Sequence, residues 1–149
     1  MLPWLFAPDA PILLPAMISM PLRYAGVAMS WGALLLLWWV FHSLGHNLTD
    51  TVTVREKASL VQHGPYRWVR HPLYTVALLL MLGLVLASAS LAMLFAVLAW
   101  SAAIGMRTPI EEGKLIERFG DSYRNYMRTT GAYLPKVSGT RSDEGAATR

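Results

Sequence analysis

"PLYTVALLLMLGLVLASASLAMLFAVLAWSAAIGM", residues 72–106, carries no Asp, Glu, Lys or Arg in 35 positions. A membrane-crossing helix needs about 20 apolar residues, so this run is too long for one crossing and suits two short ones. "LASAS", residues 86–90, offers the small and polar residues where a tight hairpin can turn. Upstream, between Tyr24 and Thr49, there is again no charged residue, which is enough for a further helix. The 149-residue chain is 54% hydrophobic and 15% charged, with a mean hydropathy of +0.38. Such a chain is too apolar for a soluble domain, and its apolar residues are clustered in blocks.

The first 21 residues are also apolar, but Pro3, Pro8, Pro11, Pro15 and Pro21 interrupt them. Proline removes a backbone donor and clashes with the preceding turn, so no straight helix fits there. With no Lys or Arg before Arg23, a signal peptide's basic start is lacking. The segment reads as interfacial or re-entrant.

Charge is placed unevenly. Arg55, Lys57, Arg67 and Arg70 lie between the two apolar blocks, and Arg107, Lys114, Arg118, Arg124, Arg128 and Lys136 follow the second. If residues 72–106 form a hairpin, both basic groups share one side, which the positive-inside rule makes cytoplasmic. The pI near 9.7 then describes a surface facing anionic lipid, and nothing in the pattern asks for nucleic acid. The sequence has no cysteine, which excludes disulfides, zinc–thiolate sites and thiol catalysis.

Around the hairpin, a helix is predicted over residues 22–44, ended by Gly45 and Asn47. "TVTVREKASLV" alternates like a short extended segment, "HGPYR" reads as a turn, and Pro72 suits the first turn of a helix. Helices are expected over residues 73–87 and 91–106. After Pro109, Leu115, Ile116, Phe119, Tyr123, Tyr126 and Met127 recur at helical spacing against charged neighbours, with a break expected at "FGDSY". The small polar tail, residues 138–149, reads as disordered.

Three constellations carry chemistry. Tyr66, Arg67, Arg70, His71 and Tyr74 crowd the mouth of the hairpin. Arg67 and Trp68 alone suit interfacial anchoring. His71 and Tyr74, flanking a helix-starting proline, instead set an imidazole and a phenol beside helix-N-terminal N–H groups, a natural pocket for a carboxylate. Glu111 and Glu112 follow Arg107 by about one turn. Either helical ion pairs on a solvated face or a functional carboxylate at the bilayer boundary accounts for them. His42 and His46, four apart, have metal-binding spacing but no acidic third ligand nearby, so no metal site is assigned.

"ASLVQHGPYRWVRHPLY", a hairpin, and "RTPIEEGKLIERFGDSYRNYMRTTGAYLP" together resemble the isoprenylcysteine carboxyl methyltransferase family and its phospholipid methyltransferase relatives. Two separated blocks match in order, over about residues 22–135. The resemblance implies a membrane-embedded enzyme using S-adenosylmethionine, consistent with the lack of a Gly-rich strand–turn–helix motif. It implies that Ala58, Ser59, Leu60 and Val61 line the cofactor through their backbone. Tyr66, His71, Pro72, Leu73 and Tyr74 would complete the pocket, with Glu111 meeting the cofactor from the C-terminal helix. Arg107 would hold the methyl acceptor. For an amine acceptor, Glu112 or Tyr74 would take the proton. Relatives often carry glycine two residues after the tyrosine of the His-Pro-x-Tyr motif, where this chain has Val76.

The reading that results is an all-α integral membrane protein of three to four membrane segments, with a helical hairpin and a C-terminal amphipathic cytosolic helix. One domain spans residues 1–137: a Pro-rich segment 1–21, a membrane helix 22–45, a cofactor loop 50–71, the hairpin 72–106 and cytosolic helices 107–135. The expected activity is methyl transfer from S-adenosylmethionine to a lipophilic small-molecule or lipidated acceptor, preferably a carboxylate. N-methylation of an aminophospholipid, or a non-enzymatic membrane scaffold of the same shape, are the alternatives. Self-association into a homo-oligomer is left open.

Overall fold

The computed structural model describes residues 18–44 and 60–136. Four helices follow one another: α1 (Met20–Leu44), α2 (Pro72–Ser88), α3 (Leu91–Phe119) and α4 (Asp121–Thr129). A 3-10 turn, Gly64–Arg67, precedes α2. An isolated parallel β-bridge pairs Val69 with Gly131.

α1 and α2 form the principal helix–helix interface. Small residues make it possible. A side chain at Gly26 would stand 2.7 Å from the backbone of Gly83 and Ala87, and one at Gly83 would stand 2.8 Å from the Gly26 carbonyl oxygen. In hydrocarbon the gain comes from close van der Waals contact, because lipid tails are as apolar as the helices. Ser30, on the same face, spends its hydroxyl on the Gly26 carbonyl at 2.9 Å. Further along, Ala33, Val40 and Val76 form the buried centre, with Leu37, Tyr66, Leu73, Leu79 and Leu80 packed around it. Val76 therefore serves the α1–α2 core.

The hairpin turns where small residues permit it. Ala89 takes a left-handed conformation, φ 51°, and donates to the Val85 carbonyl at 2.9 Å. Ser90 caps α3 by accepting from the Met93 N–H. Arg23 of α1 reaches the Ala87 carbonyl at 3.0 Å, satisfying an acceptor at the end of α2.

α3 differs from the sequence-based expectation. A helix ending near residue 106 was predicted, yet α3 runs 29 residues, straight through Pro109. Pro109 leaves the Gly105 carbonyl without its helical donor, an interruption that a long apolar helix tolerates. At 1.5 Å per residue α3 is about 43 Å long, against a hydrocarbon core of about 30 Å. α3 is therefore longer than one crossing of the apolar layer requires, and its charged residues lie in its C-terminal half. α1 and α3 are long and apolar enough to cross a membrane, while α2, at 17 residues, is shorter.

Gly120 ends α3 at φ 55°, a backbone state that favours glycine, and α4 begins at the next residue. The break lies inside the predicted "FGDSY". α4 buries Tyr123 and Tyr126 and exposes its charged residues. Residues 130–136 then fold back as a strap onto the start of α2. The Arg70 N–H donates to the Gly131 carbonyl at 2.8 Å and the His71 N–H to the Ala132 carbonyl at 3.0 Å. Thr75 Oγ1 reaches the Tyr133 carbonyl at 2.9 Å.

Candidate active site

Arg70 and His71 are carried to the top of α2 by the 3-10 turn, and Glu111 and Glu112 approach them from α3. Glu112 Oε1 receives Arg70 Nε at 2.9 Å and Arg70 Nη2 at 2.8 Å, and lies 3.2 Å from His71 Nε2. The Arg70 and Glu112 side chains are only 9% and 13% exposed, so this is a nearly dry ion pair. Arg70 Nη1 also donates to the carbonyls of Met127 and Thr130, which ties α2, α3, α4 and the strap to one guanidinium. A forked, five-donor cation suits that task where lysine would not.

Glu111 faces a different partner. Tyr74 Oη lies 2.8 Å from both of its carboxylate oxygens, and Arg107 Nε lies 2.6 Å from Oε1. Arg107 is 68% exposed, so its pair with Glu111 adds little to stability and leaves the guanidinium accessible. His71 stacks on Tyr74, ring centroids 5.6 Å apart and planes 14° apart. Trp100 meets Tyr74 edge-on at 6.3 Å.

Two cavities meet at this cluster. The larger, about 560 Å³, is the more polar of the two: Tyr66, Arg70, His71, Glu111, Lys114 and Arg118 stand among apolar residues in its wall. The other, about 330 Å³, is apolar and lies between α2 and α3, against Tyr74, Leu78, Trp100, Ile104 and Leu134. Tyr74 belongs to the apolar wall and Glu111 to the polar one, so their hydrogen bonds form the joint between the two spaces.

The predicted site residues are distributed as follows. Leu60, Val61, Tyr66, His71 and Glu111 line the polar cavity, and Tyr74 and Arg107 stand at its joint with the apolar one. Pro72 faces a third, separate cavity, and Leu73 packs on the α1–α2 core. Glu112 is engaged by Arg70 and His71. Ala58, Ser59 and His46 lie outside the described residues. Among the described residues no three His, Cys, Asp or Glu side chains cluster closely enough to hold a metal ion.

Lys114, Leu115, Arg118 and Phe119 were not singled out for the site, yet they continue the Glu111 face at steps of three and four residues, a spacing readable from the sequence. Tyr123 and Tyr126 close the far wall. Burial pushes the Tyr66 phenol up to about 12, and burial together with the charge of Glu112 does the same to Tyr123. Both phenols stay neutral, and the cavity's electrostatics rest on Arg70, Lys114, Arg118 and the two glutamates.

The N–H groups expected to make an anion pocket at the start of α2 are largely taken. The strap carbonyls bind those of Arg70 and His71, and the Tyr74 N–H turns back to the His71 carbonyl at 3.1 Å. Lys114 and Arg118 add positive charge to the cavity wall.

The size and lining of the polar cavity fit a zwitterionic, nucleoside-sized cofactor. Its volume falls in the range of about 300–1,000 Å³ typical of small-molecule sites, and cations, a carboxylate and aromatic faces all border it. The phospholipid methyltransferase family profile matches residues 22–122. Over 98 residues the chain is 33% identical to the protein-S-isoprenylcysteine O-methyltransferase A of Arabidopsis thaliana, a match covering 63% of this chain and 49% of that protein. The chain thus spans about half the length of this relative. With the family profile matched over more than half its residues, and two helices of membrane-crossing length, the chain is an integral membrane member of the phospholipid methyltransferase family.

Proposed function

We propose that this protein transfers a methyl group from S-adenosylmethionine, held in the polar cavity, to a lipophilic carboxylate entering through the apolar cavity. The observation that carries the reading is the Tyr74–Glu111 contact, which joins a residue lining the apolar cavity to one lining the cavity with the charged wall. A methyltransferase with a water-soluble donor and a membrane-soluble acceptor needs such a joint, because proximity and alignment supply most of the catalysis.

S-adenosylmethionine supplies a methyl group made electrophilic by the cationic sulfur that carries it. The protein's own residues hold and orient. Glu111, anchored by Tyr74 and Arg107, sets a negative charge where a positive centre is to be held. Lys114 and Arg118 in the cavity wall suit a carboxylate, and Tyr66 and Phe119 offer faces for a base. Arg107, accessible at the joint, pairs with the acceptor carboxylate and fixes its approach. Glu112 is already committed to Arg70 and His71, which leaves less proton-accepting capacity for an amine acceptor and favours the carboxylate. The basic residues around the site support a cytoplasmic orientation.

The test is transfer of radiolabelled methyl from S-adenosylmethionine by the purified protein in nanodiscs, offered an S-prenylated cysteine or phosphatidylethanolamine. The carboxylate should be labelled, and Arg107→Gln should lower that labelling by about tenfold or more, the loss expected for a charge-assisted hydrogen bond. Label appearing in the phospholipid, and unaffected by Arg107→Gln, would move the assignment to N-methylation.

A further inference from the structure

A third cavity, of about 270 Å³, lies on the α1 side of α2, away from the joint. Trp39, Trp68, Pro72, Val76, Leu134 and Pro135 wall it, while Tyr74, Arg107 and Glu111 take no part. Its two hydroxyl-bearing wall residues are already satisfied: Thr75 bonds the His71 and Tyr133 carbonyls, and the Tyr133 hydroxyl bonds Thr108. With these hydroxyls engaged, the wall offers an occupant mainly apolar surface, and the space suits hydrocarbon.

The mouth is different. Trp39 and Trp68 meet edge-to-face, centroids 5.6 Å apart, an amphipathic pair of the type that settles at headgroup level. The Arg67 guanidinium lies 4.8 Å from the centroid of the Trp68 ring. Arg67 is exposed and pairs with no carboxylate among the described residues. An apolar slot beneath aromatic residues, with an arginine at the rim that no described carboxylate compensates, complements one kind of molecule.

We propose that this cavity is a lipid site distinct from the acceptor site: it takes one acyl chain of an anionic phospholipid whose phosphodiester rests on Arg67. The planar guanidinium matches the phosphate oxygens, and a net-anionic headgroup leaves the charge uncompensated in neither partner. The slot also shares Thr75, Tyr133 and Leu134 with the acceptor cavity, so a chain seated in it braces the strap that walls both.

The experiment needs neither methyl donor nor acceptor. Protein is reconstituted in nanodiscs of phosphatidylcholine and phosphatidylglycerol in equal parts, and the lipids retained after transfer to detergent are identified by native mass spectrometry. The parent should retain phosphatidylglycerol in preference to phosphatidylcholine. Arg67→Gln should cut that preference about fivefold, since one basic residue near a surface is worth roughly that much. Leu36→Trp, which fills the slot from α1, should lose the retained lipid whatever its headgroup. Equal retention of both lipids by the parent, or an unchanged preference in Arg67→Gln, means annular lipid only and overturns the proposal.

Discussion

Tyr74 Oη and the Glu111 carboxylate are 2.8 Å apart on both oxygens, although 37 positions separate the residues. This contact aligns α2 with α3, which otherwise pack together lightly. Tyr74→Phe keeps the ring against His71 and Trp100 but removes the hydrogen bonds. The expected result is intact folding with methyl transfer reduced by about tenfold or more, the worth of a hydrogen bond to a charged group. Full activity in Tyr74→Phe would show that the joint is not where the reaction is organised.

The Arg70–Glu112 pair should behave differently. Both side chains are nearly buried, and Arg70 also holds the carbonyls of Met127 and Thr130. Removing one partner leaves an uncompensated charge, at a cost of about 3–5 kcal/mol. Glu112→Ala and Arg70→Ala should each lose most folded protein in size-exclusion chromatography and lower the thermal midpoint. If Glu112→Ala instead folds normally and fails only in catalysis, Glu112 is acting on the reaction itself.

Glycine positions in the helices should split into two classes. Gly83 sits against the Gly26 backbone and Ser30, so Gly83→Ala must push α1 and α2 apart and should be destabilising. Nothing lies within 4 Å of a side chain added at Gly113 in α3, so Gly113→Ala should be neutral or stabilising by up to about 1 kcal/mol. Thermal unfolding of the two variants side by side checks this, and equal destabilisation would contradict the α1–α2 packing described.

Tyr123 is almost fully buried, and its hydroxyl has no hydrogen-bond partner among the described residues. An unsatisfied buried hydroxyl costs about 1–3 kcal/mol, so Tyr123→Phe should raise the thermal midpoint or leave it unchanged. Marked destabilisation would mean that the hydroxyl has a partner after all.

Alkaline pH gives a related test. The Tyr66 and Tyr123 phenols, raised by burial from 10.0 to about 12, favour the folded state through their neutral forms. Their contribution is intact below pH 10 and is lost as the pH rises through about 12. Tyrosinate absorbance followed alongside helical circular dichroism should show these phenols ionising late, together with loss of helix. Ionisation of every tyrosine near pH 10 with the helices intact would contradict their burial.

Much of this architecture was legible because it depends on local chemistry. The uncharged run forces a hairpin, "LASAS" turns it, Pro72 starts α2 and Gly120 breaks the C-terminal helices. The Glu111 face could be read from helical spacing. The path through Pro109 could not, since a proline reads locally as a helix boundary and only the long apolar context of α3 overrides it. Nor could the role of Arg70: its partners lie 42, 57 and 60 positions away and meet only once the strap has folded back. His71 lines the larger cavity, but the N–H groups around it go to strap carbonyls, contacts that no local pattern announces.

The most direct test of the central claim, that the polar cavity holds the methyl donor, is calorimetric binding of S-adenosylhomocysteine to the detergent-purified protein, alongside Glu111→Gln and His71→Ala. The account predicts binding by the parent, weakened tenfold or more in each variant, about 1.4 kcal/mol. A folded, monodisperse parent that binds nothing, or variants that bind as tightly as the parent, would contradict it.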